Sequence, residues 1–271
     1  MSEAPSKPFH RLLLTGAAGN LGRVLRPRLH ALCDVLRVSD QAHLTAAWPA
    51  EETVSAALQD KAAVRALLQD VDAVVHLGGV STPHSFEEIL PANIVGAYHV
   101  YEAARVNGVR RIVYASSNHV TGFYEQSRTI GPAAPMRPDG FYGLSKAFGE
   151  NLAQLYFDRW GIETVSLRIG SSFPEPVDRR MLASWLAYDD LERLVRAALT
   201  APHVGHSVIY GVSDNPRRWW NNDSASHIGF RPQESSERFT AAIEARTAAA
   251  DPASPVVRYQ GGNFVAEGPY D

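Results

Sequence analysis

Of 271 residues only one, Cys33, is a cysteine. A lone thiol closes no intrachain disulfide and builds no multi-thiolate metal site, which excludes disulfide-stapled folds and cysteine zinc fingers. Cys33 is expected to pack as a small apolar residue at a helix end. The 10 histidines lack the paired spacing of a zinc helix, so no metal is expected. Long apolar runs are missing too: Met1 to His10 is polar and proline-containing, with nothing that serves as a signal peptide or membrane span. The expectation is a cytoplasmic protein with no membrane partner. Charge of one sign is also lacking, with 26 Lys and Arg against 29 Asp and Glu and a formal net charge of -3. No basic cluster is interleaved with aromatic residues, and nucleic acid is not an expected partner.

What is present is apolar character in ordered blocks. Hydrophobic residues make up 45% of the chain, enough to bury one large core. Phe9 to Thr15 reads as a strand running into a glycine segment, and Asn20 to Cys33 as an amphipathic helix in which Pro27 removes a hydrogen bond and introduces a bend. Strands follow at Val35 to Ser39, ending at Asp40, then at Val71 to Leu77, Arg111 to Ala115 and Ile162 to Ile169. Helices are expected at Asp60 to Leu68, at Asn93 to Val106, and within Gly140 to Trp160, where Gly161 terminates the helix. Alternating strands and helices predict an α/β fold, a Rossmann-like doubly wound parallel sheet with both faces covered.

Regularity weakens after Ile169. Phe173-Pro174-Glu175-Pro176 is a breaker; Trp185 to Thr200, Ala225 to Gly229 and Ser235 to Arg246 are helical pieces, and Ser207 to Tyr210 is a short strand. A single domain over 1–271 is expected, with a dinucleotide-binding core at about 9–169 and a small irregular carboxy-terminal substrate lobe at 170–271. The glycine and aromatic content of Val257 to Phe264 is unlike a loose terminus and predicts a docked tail. Trp219-Trp220 is expected in the core or an interface.

Three constellations carry chemistry. Gly16, Gly19 and Gly22 follow a strand and open a helix, which permits a tight turn and close backbone approach to a pyrophosphate. Asp40, at the end of the second strand, can accept hydrogen bonds from both ribose hydroxyls and repels a 2′-phosphate, which favours NAD over NADP. Arg23 and Arg37 are near in sequence, but a solvated face is their expected place. Tyr142 and Lys146, four apart on a helix, share one face downstream of Ser116-Ser117. A phenol with pKa near ~10 is a poor base at neutral pH, and an adjacent ammonium helps it ionise.

The glycine pattern, Asn93-x-x-Gly96, Ser116-Ser117 and Tyr142-x-x-x-Lys146 together resemble the extended short-chain dehydrogenases/reductases. Ala115 to His119, Arg137 to Gly143, Arg168 to Ser171, Arg180 to Trp185 and Val257 to Phe264 look, within that superfamily, like the bacterial uronate dehydrogenases. The resemblance covers nearly the whole chain. It implies NAD-dependent oxidation of the anomeric hydroxyl of a hexuronic acid, galacturonate or glucuronate, to the aldaro-lactone. It implies Tyr142 as base, Lys146 as the group that lowers its pKa and binds nicotinamide ribose, and Ser117 as a hydrogen-bond partner of the reacting oxygen. On the cofactor side it implies backbone donors at Asn20 and Leu21, the small-residue wall Leu77-Gly78-Gly79, Ile169, Asn93 as a support, and Asp60 near the adenine amine. A plain helix cap remains open for Asp60. For the substrate it implies Arg180 on the carboxylate, where a planar guanidinium offers two parallel donors, with Ser81, Asn118, His119 and Ser171 on hydroxyls and Phe264 as an apolar wall. Arg179 adjoins Arg180 and is not separated from it by sequence alone. A homo-oligomer is expected from the resemblance.

Two other readings stay open on the residues. A nucleotide-sugar epimerase or dehydratase would recycle its cofactor, although the carboxy-terminal lobe looks short for a nucleotide diphosphate. A non-catalytic dinucleotide-binding module would have no use for the intact Ser117, Tyr142 and Lys146 set.

Overall fold

The computed structural model describes residues 6–248, 251 and 253–270. In chain order the elements are β1 (Phe9–Thr15), α1 (Asn20–Leu29), β2 (Cys33–Asp40), β3 (Glu51–Ser55), α2 (Lys61–Leu67), β4 (Ala73–His76), α3 (Phe86–Ile89), α4 (Gly96–Asn107), β5 (Arg111–Ser117), α5 (Phe141–Trp160) and β6 (Glu163–Ile169). They continue as β7 (Ser171–Ser172), α6 (Met181–Ser184), β8 (Trp185–Leu186), α7 (Tyr188–Thr200), β9 (His206–Gly211), α8 (Thr240–Arg246) and α9 (Pro255–Arg258). One seven-stranded sheet runs in the order β3-β2-β1-β4-β5-β6-β9, and every pairing in it is parallel. This is the doubly wound sheet predicted.

The strands are apolar because both faces are covered. Alternate residues of β1 and β4 point to opposite sides: Leu12, Leu14 and Val75 join the cluster under α1 and α7, while Leu13 and Val74 join the one under α2, α4 and α5. Leu12, Leu13 and Leu14 are all fully buried, so truncating any of them to Ala would cost about 2–5 kcal/mol. Cys33 is buried at the first residue of β2, its Sγ 3.7 Å from Leu29 O.

Several boundaries move. The first helix, which carries Pro27 inside it, ends at Leu29 and tightens to a 3-10 turn over His30–Leu32. The strand β3 is an edge strand whose two glutamates are held by arginines, Glu51 by Arg26 at 2.6 Å and Glu52 by Arg37 at 2.6 Å. Trp185 and Leu186 are not helical: they pair with Ser171 and Ser172 in a separate two-stranded ribbon. Asn93 lies in a π-helical turn, Leu90–Val95, that precedes α4; such turns frequently mark functional sites. Gly161 ends α5 with a left-handed backbone, φ 66°.

The tail docks. Tyr259 bridges Glu125 in antiparallel fashion, and Gln260 N and Gly261 N donate to Tyr124 O and Gly122 O at 2.8 and 2.9 Å. Trp219 and Trp220 are core residues, Trp220 lying flat on Tyr210 with ring centroids 5.0 Å apart. Among the described residues no helix is long and apolar enough to cross a membrane, and no group of three or more His, Cys, Asp or Glu is placed to hold a metal ion.

Candidate functional site

A cavity of about 1380 Å³ opens across the carboxyl ends of β1, β2, β4, β5 and β6, where ligands bind in open α/β sheets. Its walls include Gly16, Gly19, Asn20, Leu21, Gly22, Asp40, Leu77, Gly78, Gly79, Lys146 and Ile169 at one end. Ser81, Ser117, Asn118, His119, Tyr142, Ser171, Arg180 and Phe264 line the other. Two of the expected site residues stand outside it. Asp60 accepts from Ala62 N and Ala63 N at 2.9 and 3.0 Å as the cap of α2, the alternative its sequence context had left open. Asn93 is buried behind the wall, bonded to both main-chain groups of Val80 at 2.7 and 2.9 Å and to Ser145 Oγ at 3.0 Å. Because Ser145 Oγ donates in turn to Tyr142 O at 2.7 Å, Asn93 ties the loop after β4 to the helix that carries Tyr142.

At the dinucleotide end the glycines are dictated by space. Gly16 has φ 71°, and a Cβ there would come within 2.7 Å of Gly78 N. A Cβ on Gly22 would run into Gly16 O. The turn is therefore as tight as β1 and α1 allow, with the start of α1 facing the cavity as an anion-binding terminus. Asp40 accepts from Ala18 N and Ala42 N at 3.0 and 3.1 Å, which fixes its carboxylate beside the glycine turn. Arg37 is absorbed by Glu52, Leu67 O and Gln69 O, whereas Arg23 borders the cavity. A dinucleotide fits this cradle: Asp40 would hold the adenosine ribose, the Gly16–Gly22 backbone the pyrophosphate, and Lys146 the nicotinamide ribose.

Tyr142 and Lys146 project from the first two turns of α5, and both are buried. Lys146 Nζ sits 5.7 Å from the Tyr142 ring centroid and 5.3 Å from that of Tyr114. Burial lowers the Lys146 ammonium to about 8, so it remains cationic at neutral pH. Burial raises the Tyr142 phenol to about 12, with the Asp139 charge adding to the rise and the Ser117 hydroxyl opposing it. In the protein alone the phenol is therefore protonated, and further positive charge is needed to make it a base. Behind this pair, His76 accepts or donates at Thr15 Oγ1 across 2.7 Å, and burial followed by the Lys146 charge lowers its pKa to about 3.

The other end is built around Arg180. Its Nε and Nη2 donate to the main-chain oxygen of Gln260 at 2.9 and 2.6 Å, and Nη1 donates to Ser171 Oγ at 3.0 Å. The Asn118 amide, oriented from its bonding partners, accepts from Arg180 Nη2 and donates to Ile169 O, each at 3.0 Å. These partners are all neutral. Burial holds the guanidinium below its ordinary arginine pKa, with Asp178 and Asp139 pulling weakly the other way. A half-buried cation on a cavity wall, bonded only to neutral partners, favours an anion beside it. Arg179 is turned away, donating to Glu244 O and Thr247 O at 3.0 and 2.9 Å; the two arginines are separated by the fold.

Two buried residues that sequence reasoning did not single out support the wall from behind. Asp139 accepts from His119 Nδ1 at 2.6 Å. Gln260 is fully buried, taking a bond from Trp220 Nε1 at 2.8 Å and donating to Glu125 O and Arg128 O at 3.1 and 2.8 Å. Position in the motif before Tyr142 was the one available signal for Asp139. Phe264 stacks on His119 with centroids 3.9 Å apart.

The sequence pattern of the NAD dependent epimerase/dehydratase family matches residues 12–207. The chain is 58% identical over 266 residues to a uronate dehydrogenase of Pseudomonas putida, covering 97% of this chain and 98% of that one. A crystal structure of a glucuronic acid dehydrogenase from Chromohalobacter salexigens superposes with a TM-score of 0.94 at 50% identity, over 96% of this chain and 97% of the other. A tyrosine-to-alanine variant of uronate dehydrogenase from Agrobacterium tumefaciens, crystallised in complex with NAD, gives 0.94 at 47% identity over 96% and 98%.

Proposed function

The chain belongs to the NAD dependent epimerase/dehydratase family, and from that membership we propose that it oxidises the anomeric hydroxyl of a hexuronic acid with NAD. The observation that carries this reading is the pairing, in one cavity, of Tyr142 and Lys146 with a half-buried Arg180 whose bonds all go to neutral oxygens. The first pair handles a proton; the arginine selects a carboxylate.

Arg180, held edge-on by Gln260, presents its guanidinium to the uronate carboxylate, with Ser171 and Asn118 beside it. Ser81 and His119 meet ring hydroxyls, and Phe264 closes the apolar side of the pocket. Ser117 and Tyr142 bind the anomeric oxygen. Bound NAD would supply the hydride acceptor for C1 and a positive ring beside the phenol. Tyr142 Oη takes the hydroxyl proton as C1 loses hydride, and Lys146 stabilises the phenolate by its charge. C1 thereby becomes the carbonyl carbon of a lactone, with no water consumed. Asp40 sets the preference for NAD over NADP. Residues 9–169 hold the cofactor and also supply Ser81, Ser117, Asn118, His119 and Tyr142 to the substrate wall, to which the later chain adds Ser171, Arg180 and Phe264.

Exposed apolar residues on one face of α5, Phe141, Leu144, Phe148 and Leu155, together with Phe86, support a homo-oligomer assembled through that face, which a mass measurement in solution tests. The use of NAD fits a cytoplasmic enzyme.

The test of the reaction is product analysis with stoichiometric NAD. One NADH and one aldaro-lactone formed per uronate consumed supports the reading. Conversion of a nucleotide sugar with no net NADH would replace it with an epimerase or dehydratase activity.

A further inference from the structure

Asp139 is a buried carboxylate, its side chain 1% exposed, and the fold leaves room for it in an unusual way. Cβ atoms added at Gly122 and at Gly261 would strike its carboxylate, and one at Gly143 would lie 3.1 Å from Oδ1. Three separate segments thus omit side chains around one anionic group. Burying a carboxylate is expensive unless it is well bonded. Among the described residues its ion-pair partner is His119, whose Nδ1 lies 2.6 Å from Oδ2.

The imidazole is held from two other sides. Phe264 lies flat against it, 12° between the planes, and Tyr142 meets it edge-on at 5.8 Å. Stacking fixes the ring plane, and Asp139 fixes which edge turns inward. Among the described residues the other nitrogen, Nε2, has no hydrogen-bond partner, and His119 lines the cavity. In a neutral imidazole one nitrogen donates and the other accepts. An ionised carboxylate only accepts, so the proton resides on Nδ1 and Nε2 is left as a bare lone pair. Burial and the Arg180 charge favour the neutral ring, against the pull of Asp139.

We propose that Asp139 is a positioning residue which sets His119 as a hydrogen-bond acceptor in the pocket, so that the site requires a donating substrate hydroxyl at that point. This rests on the uronate reading given above. It adds a polarity map: Arg180 offers donors only, His119 Nε2 an acceptor only. A carboxylate repels the bare nitrogen and a hydroxyl underuses the guanidinium, so the two groups together fix one orientation of the sugar. A site arranged to bond a substrate hydroxyl rejects an analogue that lacks it far more strongly than an apolar pocket rejects a missing methylene.

The experiment uses the full chain with bound NAD, labelled with 15N-histidine. Long-range proton–nitrogen correlation reads the tautomer of His119, assigned by the signal lost in His119→Gln. The expected result is an Nδ1-protonated, Nε2-bare ring at neutral pH, changed in Asp139→Asn or Asp139→Ala. The same variants should raise KM for the uronate about 10-fold or more, with kcat changed less and NAD affinity unchanged. A deoxy-uronate missing the bound hydroxyl should be poor for the wild type and no worse for Asp139→Asn, because the coupling is already gone. An Nε2-protonated or cationic His119 in the wild type, or a KM within twofold in Asp139→Asn, would overturn the proposal. Should both variants fail to bind NAD, the wild-type tautomer alone decides. A wild type that oxidises no uronate would defeat the substrate reading and not the tautomer assignment, so the two failures are distinct.

Discussion

Arg180 and Gln260 form one structural unit: the guanidinium takes the main-chain oxygen of Gln260 through Nε at 2.9 Å and Nη2 at 2.6 Å. The carboxy-terminal tail therefore holds in place a guanidinium that lines the cavity, and its geometry should be readable in substrate affinity.

Gly262 tests this from the backbone. It has φ 63°, and a Cβ there would sit 2.5 Å from Arg180 Cδ and 2.6 Å from Nε. Gly262→Ala should cost about 1 kcal/mol of stability for the left-handed backbone and displace the guanidinium. KM for a uronate is expected to rise about 10-fold or more, while NAD affinity, measured by fluorescence titration, stays put. An unchanged KM would separate the tail from substrate binding.

Gln260 tests it from the side chain. Gln260→Leu leaves Trp220 Nε1 and the carbonyls of Glu125 and Arg128 without their partner. Unpartnered buried polar groups cost ~1–3 kcal/mol each. A lowered Tm together with a raised uronate KM is expected. A lowered Tm with normal KM would show that the tail's stability and its hold on Arg180 are independent.

Lys146 should burden the protein without its cofactor. Its folded pKa of about 8 lies below the ordinary 10.5, so the folded state sheds the proton first. Below pH 8 both states are charged and the burial penalty is fully present; it is relieved as pH rises from 8 to 10.5. The shift corresponds to roughly 3 kcal/mol at ~1.4 kcal/mol per unit. Lys146→Met should therefore be more stable than wild type at pH 7 in thermal melts without NAD, with the gain shrinking toward pH 10. A variant that is less stable at pH 7 would contradict the assignment of Lys146 as a buried, uncompensated charge.

Asp40 should govern cofactor choice. Its carboxylate is fixed by Ala18 N and Ala42 N, and exposed Arg23 borders the same cavity. Asp40→Ser removes the repulsion toward a 2′-phosphate and leaves Arg23 to meet it. The ratio of kcat/KM for NAD over NADP is expected to fall by about 10-fold or more. An unchanged ratio would place cofactor discrimination elsewhere.

The central sheet was legible because its strands are continuous apolar runs and its helices are amphipathic, signals that are local in sequence. The edge strand β3 was not: Glu51 and Glu52 look like a solvated loop until Arg26 and Arg37, from α1 and β2, neutralise them. Trp185 and Leu186 carry helical spacing but pair with Ser171 and Ser172, a tertiary contact that overrides propensity. Of the residues expected at the site, Asp60 and Asn93 do not line the cavity, and Asn93 sits behind it in the supporting place the resemblance implied. Capping explains Asp60. Asp139 and Gln260 were missed because their partners, His119 and Arg180, lie 20 and 80 positions away, and no periodicity encodes such a contact.

Recognition of a carboxylate and oxidation of the sugar that carries it are both read by one measurement. Initial rates of NADH formation should be recorded with galacturonate, glucuronate and their neutral parent sugars, for wild type and Arg180→Ala. Turnover confined to the uronates is expected in the wild type, with a loss of about 100-fold or more in kcat/KM when the guanidinium is removed, as for a desolvated charge pair. Equal rates with neutral sugars, or an Arg180→Ala enzyme as fast as wild type on uronates, would contradict this expectation.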